Sequence, residues 1–364
     1  MEAWDGATVR FRYPDPEKRL AGVRLLASVR HTDLEFAGAA WELRLEAPPV
    51  RRIEYRFELT HPDGTRETVT DPGNPSLAPG GFGDSSVVHA PDYREPDWLH
   101  RSDPKSTNGP EDTNGPDGTN SPDGTNSPDG TWRTVLVPLR GLRATCEIRI
   151  WSPDGPASPR GRLLIAHDGG DYERFAGLVR YTSVMIRAGR VPAYHLALLP
   201  PGDRDEWYSA SPAYALALAG EIVPRLRTEF QSPAVVGVGA SLGALAMLHA
   251  QRRHPAGFAG LFLQSGSYFQ PRHDSQEAGF AQWGRIVRFT EKVLRAGRGP
   301  AVPATLTCGV AEENLANNRD MADALRDQGY PIVLTENPDA HTWAGWRDTL
   351  DPHLTSLLCR VWPD

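Results

Sequence analysis

Residues 235–248 read VVGVGASLGALAML: an apolar run, the turn Gly239-Ala240-Ser241-Leu242-Gly243, then a stretch rich in Ala and Leu. A G-x-S-x-G match alone arises often as an ordinary Gly-rich turn. Between a strand and a helix it gains meaning, because Ser241 then sits on a sharp turn with its hydroxyl presented at the sheet edge as a nucleophile. The flanking glycines remove side chains that would crowd such a turn.

A serine hydroxyl attacks only when a base takes its proton, so a histidine is expected later in the chain, on a loop after a late strand. Five histidines follow Ser241. His249 and His254 fall on the helix that the serine starts, His273 precedes the strand expected to carry the acid, and His353 lies in the last helical stretch. His341, between the strand PIVLTENP and the segment TWAGWRDTL, is in the expected place. The third member should be a carboxylate between the two in chain order, at the end of the preceding strand. ATLTCGVAEENLANN offers Glu312 and Glu313 there, and Asp339 stands two residues from His341. The spacing leaves these three open. Two backbone N–H groups must also meet the developing oxyanion. Leu242, directly after the nucleophile, supplies one; the loop His167-Asp168-Gly169-Gly170, after the strand RLLIA, is expected to supply the other.

The elements that would position these groups begin at Trp132. Eight short apolar runs, TVLVPL, CEIRIW, RLLIAHDGG, AYHLALLP, AVVGVG, GLFLQSGSY, ATLTCGV and PIVLTENP, alternate with helical segments. One such segment runs from Asn314 to Gln328, with Leu315, Met321, Ala322 and Leu325 on one face. Strands interleaved with helices predict a mostly parallel sheet covered on both faces, over residues 132–364. The first hundred residues alternate with period two instead. Val9, Phe11, Tyr13, then Trp41, Leu43, Leu45, then Ile53, Tyr55, Phe57, Leu59 read as half-buried strands of a small β-sandwich spanning 1–101. DPGNPSLAPGGFGDSS (71–86) is too rich in Gly and Pro for regular structure and reads as an ordered loop or flap. Between the two parts, 102–131 hold four imperfect copies of a six-residue Asn-Pro-Asp-Gly-Thr repeat with no apolar anchor, which predicts a disordered linker.

Composition excludes several classes. A net charge of −7 without a long basic run is no footprint for nucleic acid. No apolar run approaches the roughly 20 residues a membrane helix needs. The N-terminus lacks the basic-then-apolar order of a secretory signal. Cys146, Cys308 and Cys359 form neither a closed disulfide framework nor a zinc pattern. The expectation is a soluble cytoplasmic protein with reduced thiols, acting without metal or other cofactor on a small molecule.

Together these segments resemble the enterochelin (enterobactin) esterases and related siderophore trilactone hydrolases of the α/β-hydrolase superfamily. The resemblance rests on DPGNPSLAPGGFG, LLIAHDGGDY, DRDEW, GASLGALAML, QSGSYF, GVAEENLANNRDMADAL and HTWAGWR, and covers nearly the whole chain apart from the repeat. It implies an α/β-hydrolase catalytic domain preceded by an all-β sandwich, with Ser241 as nucleophile, His341 as base and Glu312 rather than Glu313 as acid. It places one oxyanion donor on Gly169 or Gly170. The chain departs from the pattern at Asp339-Ala340, where the family usually carries Gly-Gly. The implied reaction is hydrolysis of the esters of a ferric catecholate siderophore, releasing iron inside the cell, with Arg204 of DRDEW the candidate to bind the anionic substrate. The rival expectations are a carboxylesterase or acyltransferase acting on another metabolite, and a non-catalytic binding protein.

Overall fold

The period-two runs become strands because their apolar members share one face. In the computed structural model, which describes residues 4–101, 130–154 and 161–363, they are β1 (Thr8–Pro14), β2 (Gly22–Ala27), β3 (His31–Asp33), β4 (Glu35–Ala37), β5 (Ala40–Glu46), β6 (Arg52–Thr60), β7 (Arg66–Val69), β8 (Leu77–Ala78) and β9 (Ser85–His89). Two antiparallel sheets form, one ordered β1-β5-β4 and one β3-β2-β6-β9-β8 with β7 added to β6. Val9, Phe11, Ile53 and Phe57 are almost wholly buried between them. Aromatic pairs cross the gap, Phe11 on Tyr55 at 4.8 Å and Tyr13 on Phe57 at 5.4 Å between ring centroids. Burial of each such side chain contributes about 1.5–3 kcal/mol. The Gly- and Pro-rich segment 71–86 is more regular than its composition predicts. Asn74 donates to the Tyr55 hydroxyl and the Val87 carbonyl, which aligns β8 against β9. The repeat at 102–131 lies almost entirely outside the described residues.

All eight apolar runs of the second part are strands of one sheet: β10 (Thr131–Leu139), β11 (Ala144–Ser152), β12 (Arg162–Ala166), β13 (His195–Leu198), β14 (Ala234–Ala240), β15 (Gly260–Gln264), β16 (Ala304–Gly309) and β17 (Ile332–Asn337). Their order is β10-β11-β13-β12-β14-β15-β16-β17, antiparallel up to the β11–β13 pairing and parallel from there on. The helices are α1 (Gly169–Arg174), α2 (Leu178–Arg187), α3 (Arg204–Tyr208), α4 (Pro212–Ala217), α5 (Val223–Phe230), α6 (Leu242–Arg253), α7 (Trp283–Leu294), α8 (Leu315–Asp327), α9 (Trp343–Asp348) and α10 (Thr355–Val361). Alternate residues of the central strands feed two cores. Leu163, Ile165, Leu261 and Leu306 pack with α4–α8 on one face. Leu164, Val236, Val238 and Phe262 pack with α1, α2, α9 and α10 on the other. In α8, Met321, Ala322 and Leu325 are fully buried, as their spacing predicts, and Leu315 stays half-exposed. Among the described residues no helix is long and apolar enough to cross a membrane.

The sandwich rests on the edge of this sheet. Val310 and Ala311, just after β16, pack into the sandwich core. The Arg51 amide donates to the Pro338 carbonyl just after β17, at 2.9 Å.

Candidate active site

β14 delivers the chain into a strained turn. Ser241 has φ 56° and ψ −123°, a backbone state costly for a residue with a Cβ, of the order of 1–3 kcal/mol. Surrounding bonds hold it there: its amide donates to the Gln264 carbonyl at 2.9 Å, and its carbonyl accepts from Ala244 and Ser267 at 3.1 and 3.2 Å. The glycines are required by space, since a Cβ on Gly239 would overlap the Gly243 carbonyl. α6 starts at Leu242, so the first amides of that helix lack intrahelical acceptors and point toward the site.

The candidate acid and base come from the ends of the last two strands. Glu312, three residues past β16, has a side chain only 1% exposed. Its Oε1 accepts from the Gly309 amide and the Ser265 hydroxyl, both at 2.7 Å. Its Oε2 lies 2.8 Å from His341 Nδ1. A carboxylate surrounded by donors only accepts, so Nδ1 carries the proton and Nε2 presents a lone pair. Ser265, itself at φ 48°, accepts from Trp346 Nε1 at 2.9 Å, and the Trp346 ring stands edge-on to the imidazole at 4.9 Å. The structure thus separates the three carboxylates. Glu313 is exposed and bonds Gln276, while Asp339 is buried and turns to Arg52 of β6 at 2.8 Å.

Ser241 and His341 line one cavity of about 560 Å³ together with Glu312, Leu242 and Arg204. No hydrogen bond joins Ser241 to His341 here; the serine Oγ bonds instead to Ser267 Oγ at 3.1 Å. The remaining histidines after Ser241 lie outside the cavity lining, His249 against Phe289, His254 just past the end of α6, His273 on Asp320 and His353 on Thr335.

The HDGG loop behaves differently from the expectation in one respect. The Gly169 amide, one of the two that the resemblance offers the oxyanion, donates to the Leu199 carbonyl at 2.8 Å and is spent. Gly169 is a glycine for lack of space, because a Cβ would sit 2.5 Å from the Leu198 backbone. Gly170, exposed in the first turn of α1, keeps its amide, while those of Asp171 and Tyr172 both go to the Asp168 carbonyl. Neither glycine lines the cavity as described. Buried His167 fastens this loop to the elbow. Its Nδ1 bonds the Gly243 carbonyl and its Nε2 the Tyr214 hydroxyl, both at 2.9 Å. Burial lowers its pKa to about 4, so it is the neutral Nδ1–H form that donates to Gly243. Next to it, Asp168 at φ 48° receives a bidentate pair from Arg204, Nε and Nη2 each at 3.0 Å. Burial raises the Asp168 pKa, and the guanidinium opposes that. Arg204 is therefore the counter-ion of a buried acid as well as a lining residue of the cavity.

Several lining residues escaped sequence reasoning. Ala27 to His31, the β2–β3 turn of the sandwich, reach the cavity, bringing Arg30 and His31, and Phe269 and Phe280 add aromatic surface. Ser267 had a visible signal in QSGSYF, three residues beyond the strand next to the elbow; Arg30 and His31 had none.

Sheet order, strand-to-helix elbow and late histidine define the α/β-hydrolase fold. Within it, the chain belongs to the Esterase family, described as putative esterases, whose model matches residues 141–357. No curated protein matches the sequence. Among solved structures, the ferric enterobactin esterase of Salmonella typhimurium superposes with a TM-score of 0.72 at 18% identity, over 99% of this chain and 95% of that one. The enterobactin esterase of Shigella flexneri, solved in the presence of enterobactin, gives 0.70 at 18% identity, over 98% and 92%. A ferulic acid esterase gives 0.54 at 17% identity, over 64% of this chain and all of its own. These likenesses establish the shared fold, and with the first two it extends through the sandwich.

Proposed function

We propose that this esterase is a cytoplasmic serine hydrolase that cleaves the ester bonds of a catecholate siderophore of the enterobactin type. The observation that carries the reading is the bond from buried Glu312 to His341 in the cavity that also holds Ser241, bordered by the sandwich turn with Arg30 and His31. Likeness to the two enterobactin esterases over the sandwich as well as the catalytic part supports the substrate class.

In this mechanism the substrate draws Ser241 away from Ser267 toward His341. Nε2 takes the hydroxyl proton as Oγ attacks the ester carbonyl, and Glu312 stabilises the imidazolium that forms. The Leu242 amide and a second donor from the HDGG loop, Gly170 being the one with a free N–H, hold the oxyanion. His341 then protonates the leaving alkoxide, and water releases the acyl group by the same proton path. Arg204 and Arg30 would meet the anionic catecholates, and Phe269 and Phe280 their rings.

A fluorophosphonate probe should form an adduct that Ser241→Ala abolishes. Absence of an adduct on the wild-type protein refutes the serine-hydrolase reading. A chromatographic panel of apo- and ferric enterobactin, methyl ferulate and p-nitrophenyl esters then tests the substrate. Turnover of the simple esters with enterobactin left intact overturns the siderophore assignment.

A further inference from the structure

The loop that carries His341 is gripped from outside the catalytic sheet. Arg52, the first residue of β6 in the sandwich, has a side chain only 2% exposed. Its Nη2 donates to Asp339 Oδ2 and to Thr342 Oγ1, both at 2.8 Å, so one nitrogen holds the residues on either side of Ala340-His341. Nη1 is fixed by Glu54 of the same strand at 3.0 Å. The backbone repeats the grip, Arg51 N–H to the Pro338 carbonyl at 2.9 Å. Inside the loop, Asp339 Oδ1 accepts the Ala340 amide at 2.8 Å, and Thr342 Oγ1 caps α9 through the Gly345 amide at 3.1 Å.

Resting on the reading of His341 as general base, we propose that Arg52 is a positioning residue for it, so that the sandwich completes the catalytic geometry as well as bordering the cavity. Among the described residues the imidazole makes one hydrogen bond of its own, to Glu312, and it is 39% exposed. Besides that bond only the edge-on Trp346 ring borders the imidazole among the aromatic contacts of the described residues, so no second polar contact fixes its angle. The position of Nε2 therefore depends on where the backbone at 340–342 stands, and Arg52 sets that. A buried ion pair returns little net stability after desolvation. What this one supplies is a fixed distance between the sandwich and the histidine loop. Its Nε is buried without a partner among the described residues, so the grip runs through the two terminal nitrogens, to Glu54 and to the loop.

The test uses the full chain with p-nitrophenyl butyrate as substrate. Arg52→Gln/Asp339→Asn removes both charges of the pair that spans sandwich and loop and leaves Glu54, 17% exposed, to be met by water; Thr342→Val removes the Arg52 bond and the α9 cap but no charge; Arg52→Lys keeps the charge. A displacement on the order of 1 Å costs about 100-fold, so the double variant should lose about 100-fold in kcat with KM within twofold. Fluorophosphonate labelling of Ser241 should slow in parallel while the melting curve stays cooperative. Thr342→Val should lose about 5- to 10-fold, and Arg52→Lys should recover most of the loss. A folded double variant with wild-type kcat overturns the proposal, as does a rise in KM at unchanged kcat. Should the double variant fail to fold, wild-type kcat in Thr342→Val overturns it equally. Absence of an adduct on the wild-type protein strikes at the serine-hydrolase reading instead.

Discussion

Glu312→Gln keeps the shape of the acid and inverts what it offers the base. Two donors, the Gly309 amide and the Ser265 hydroxyl, converge on Oε1 at 2.7 Å. The Gly309 amide can only donate, so an NH2 group cannot take that position whichever way the Ser265 hydroxyl turns. The glutamine must therefore put its carbonyl oxygen there and its NH2 against His341 Nδ1. That forces the proton onto Nε2, the nitrogen required to take the serine proton, and removes the counter-charge of the imidazolium. Wrong-tautomer changes of this kind cost about 10³- to 10⁴-fold in kcat, or about 4–5.5 kcal/mol at 1.36 kcal/mol per decade. Because the packing and both Oε1 bonds survive, the melting temperature should move by only a few degrees. Glu313→Gln, which loses only an exposed bond to Gln276, should stay within about twofold of wild type. The assay is p-nitrophenyl ester hydrolysis, with kcat and KM taken separately and circular dichroism to confirm the fold. Retention of more than a tenth of the wild-type kcat by Glu312→Gln, or an equal loss in Glu313→Gln, refutes the assignment of the acid.

Gly169→Ala should lower stability by more than about 2 kcal/mol through overlap with the Leu198 backbone, with kcat of the folded fraction little changed; a selective loss of kcat in urea-stable protein would return its amide to the oxyanion. Arg204→Gln leaves buried Asp168 without its partner. It should cost about 2 kcal/mol by urea unfolding, less than a wholly buried pair because the arginine is 36% exposed, and should raise KM for anionic esters more than for neutral ones. His167 gives a pH signature. Its folded pKa of about 4 lies below the ordinary 6.5, so the unfolded chain takes the proton first as pH falls. Its contribution is full above about pH 6.5 and lost on descending through about pH 4, up to about 3 kcal/mol; denaturant midpoints between pH 7 and 4 should fall in wild type and fall less in His167→Gln.

Much of this site was legible because it is local. The elbow at Ser241 is one strand, one turn and one helix consecutive in the chain, and Gly239 is dictated by a contact with Gly243, four residues on. The eight strands are consecutive apolar runs, and alternation marked the sandwich because one face of each strand is buried. Chain order placed His341 at a late strand end for the same reason.

What stayed open depended on directions that spacing does not carry. Glu312 and Glu313 are neighbours with the same chemistry. Only the tertiary structure, by bringing Gly309, Ser265 and His341 around one of them, turned Glu312 inward and left Glu313 in water. Asp339, two residues from the histidine, answers to Arg52, 287 positions away. The Gly169 amide was claimed by Leu199, a partner on another strand end. Arg30 and His31 entered the cavity only because the sandwich packs against the loops after β16 and β17. The sequence by itself determined the nucleophile's turn, the strands and the order of the catalytic candidates, all set by neighbours along the chain. Which carboxylate serves the histidine, which amide remains for the oxyanion and what holds the histidine loop were decided by tertiary structure. Each depends on which donors and acceptors from distant segments compete for the same buried atom.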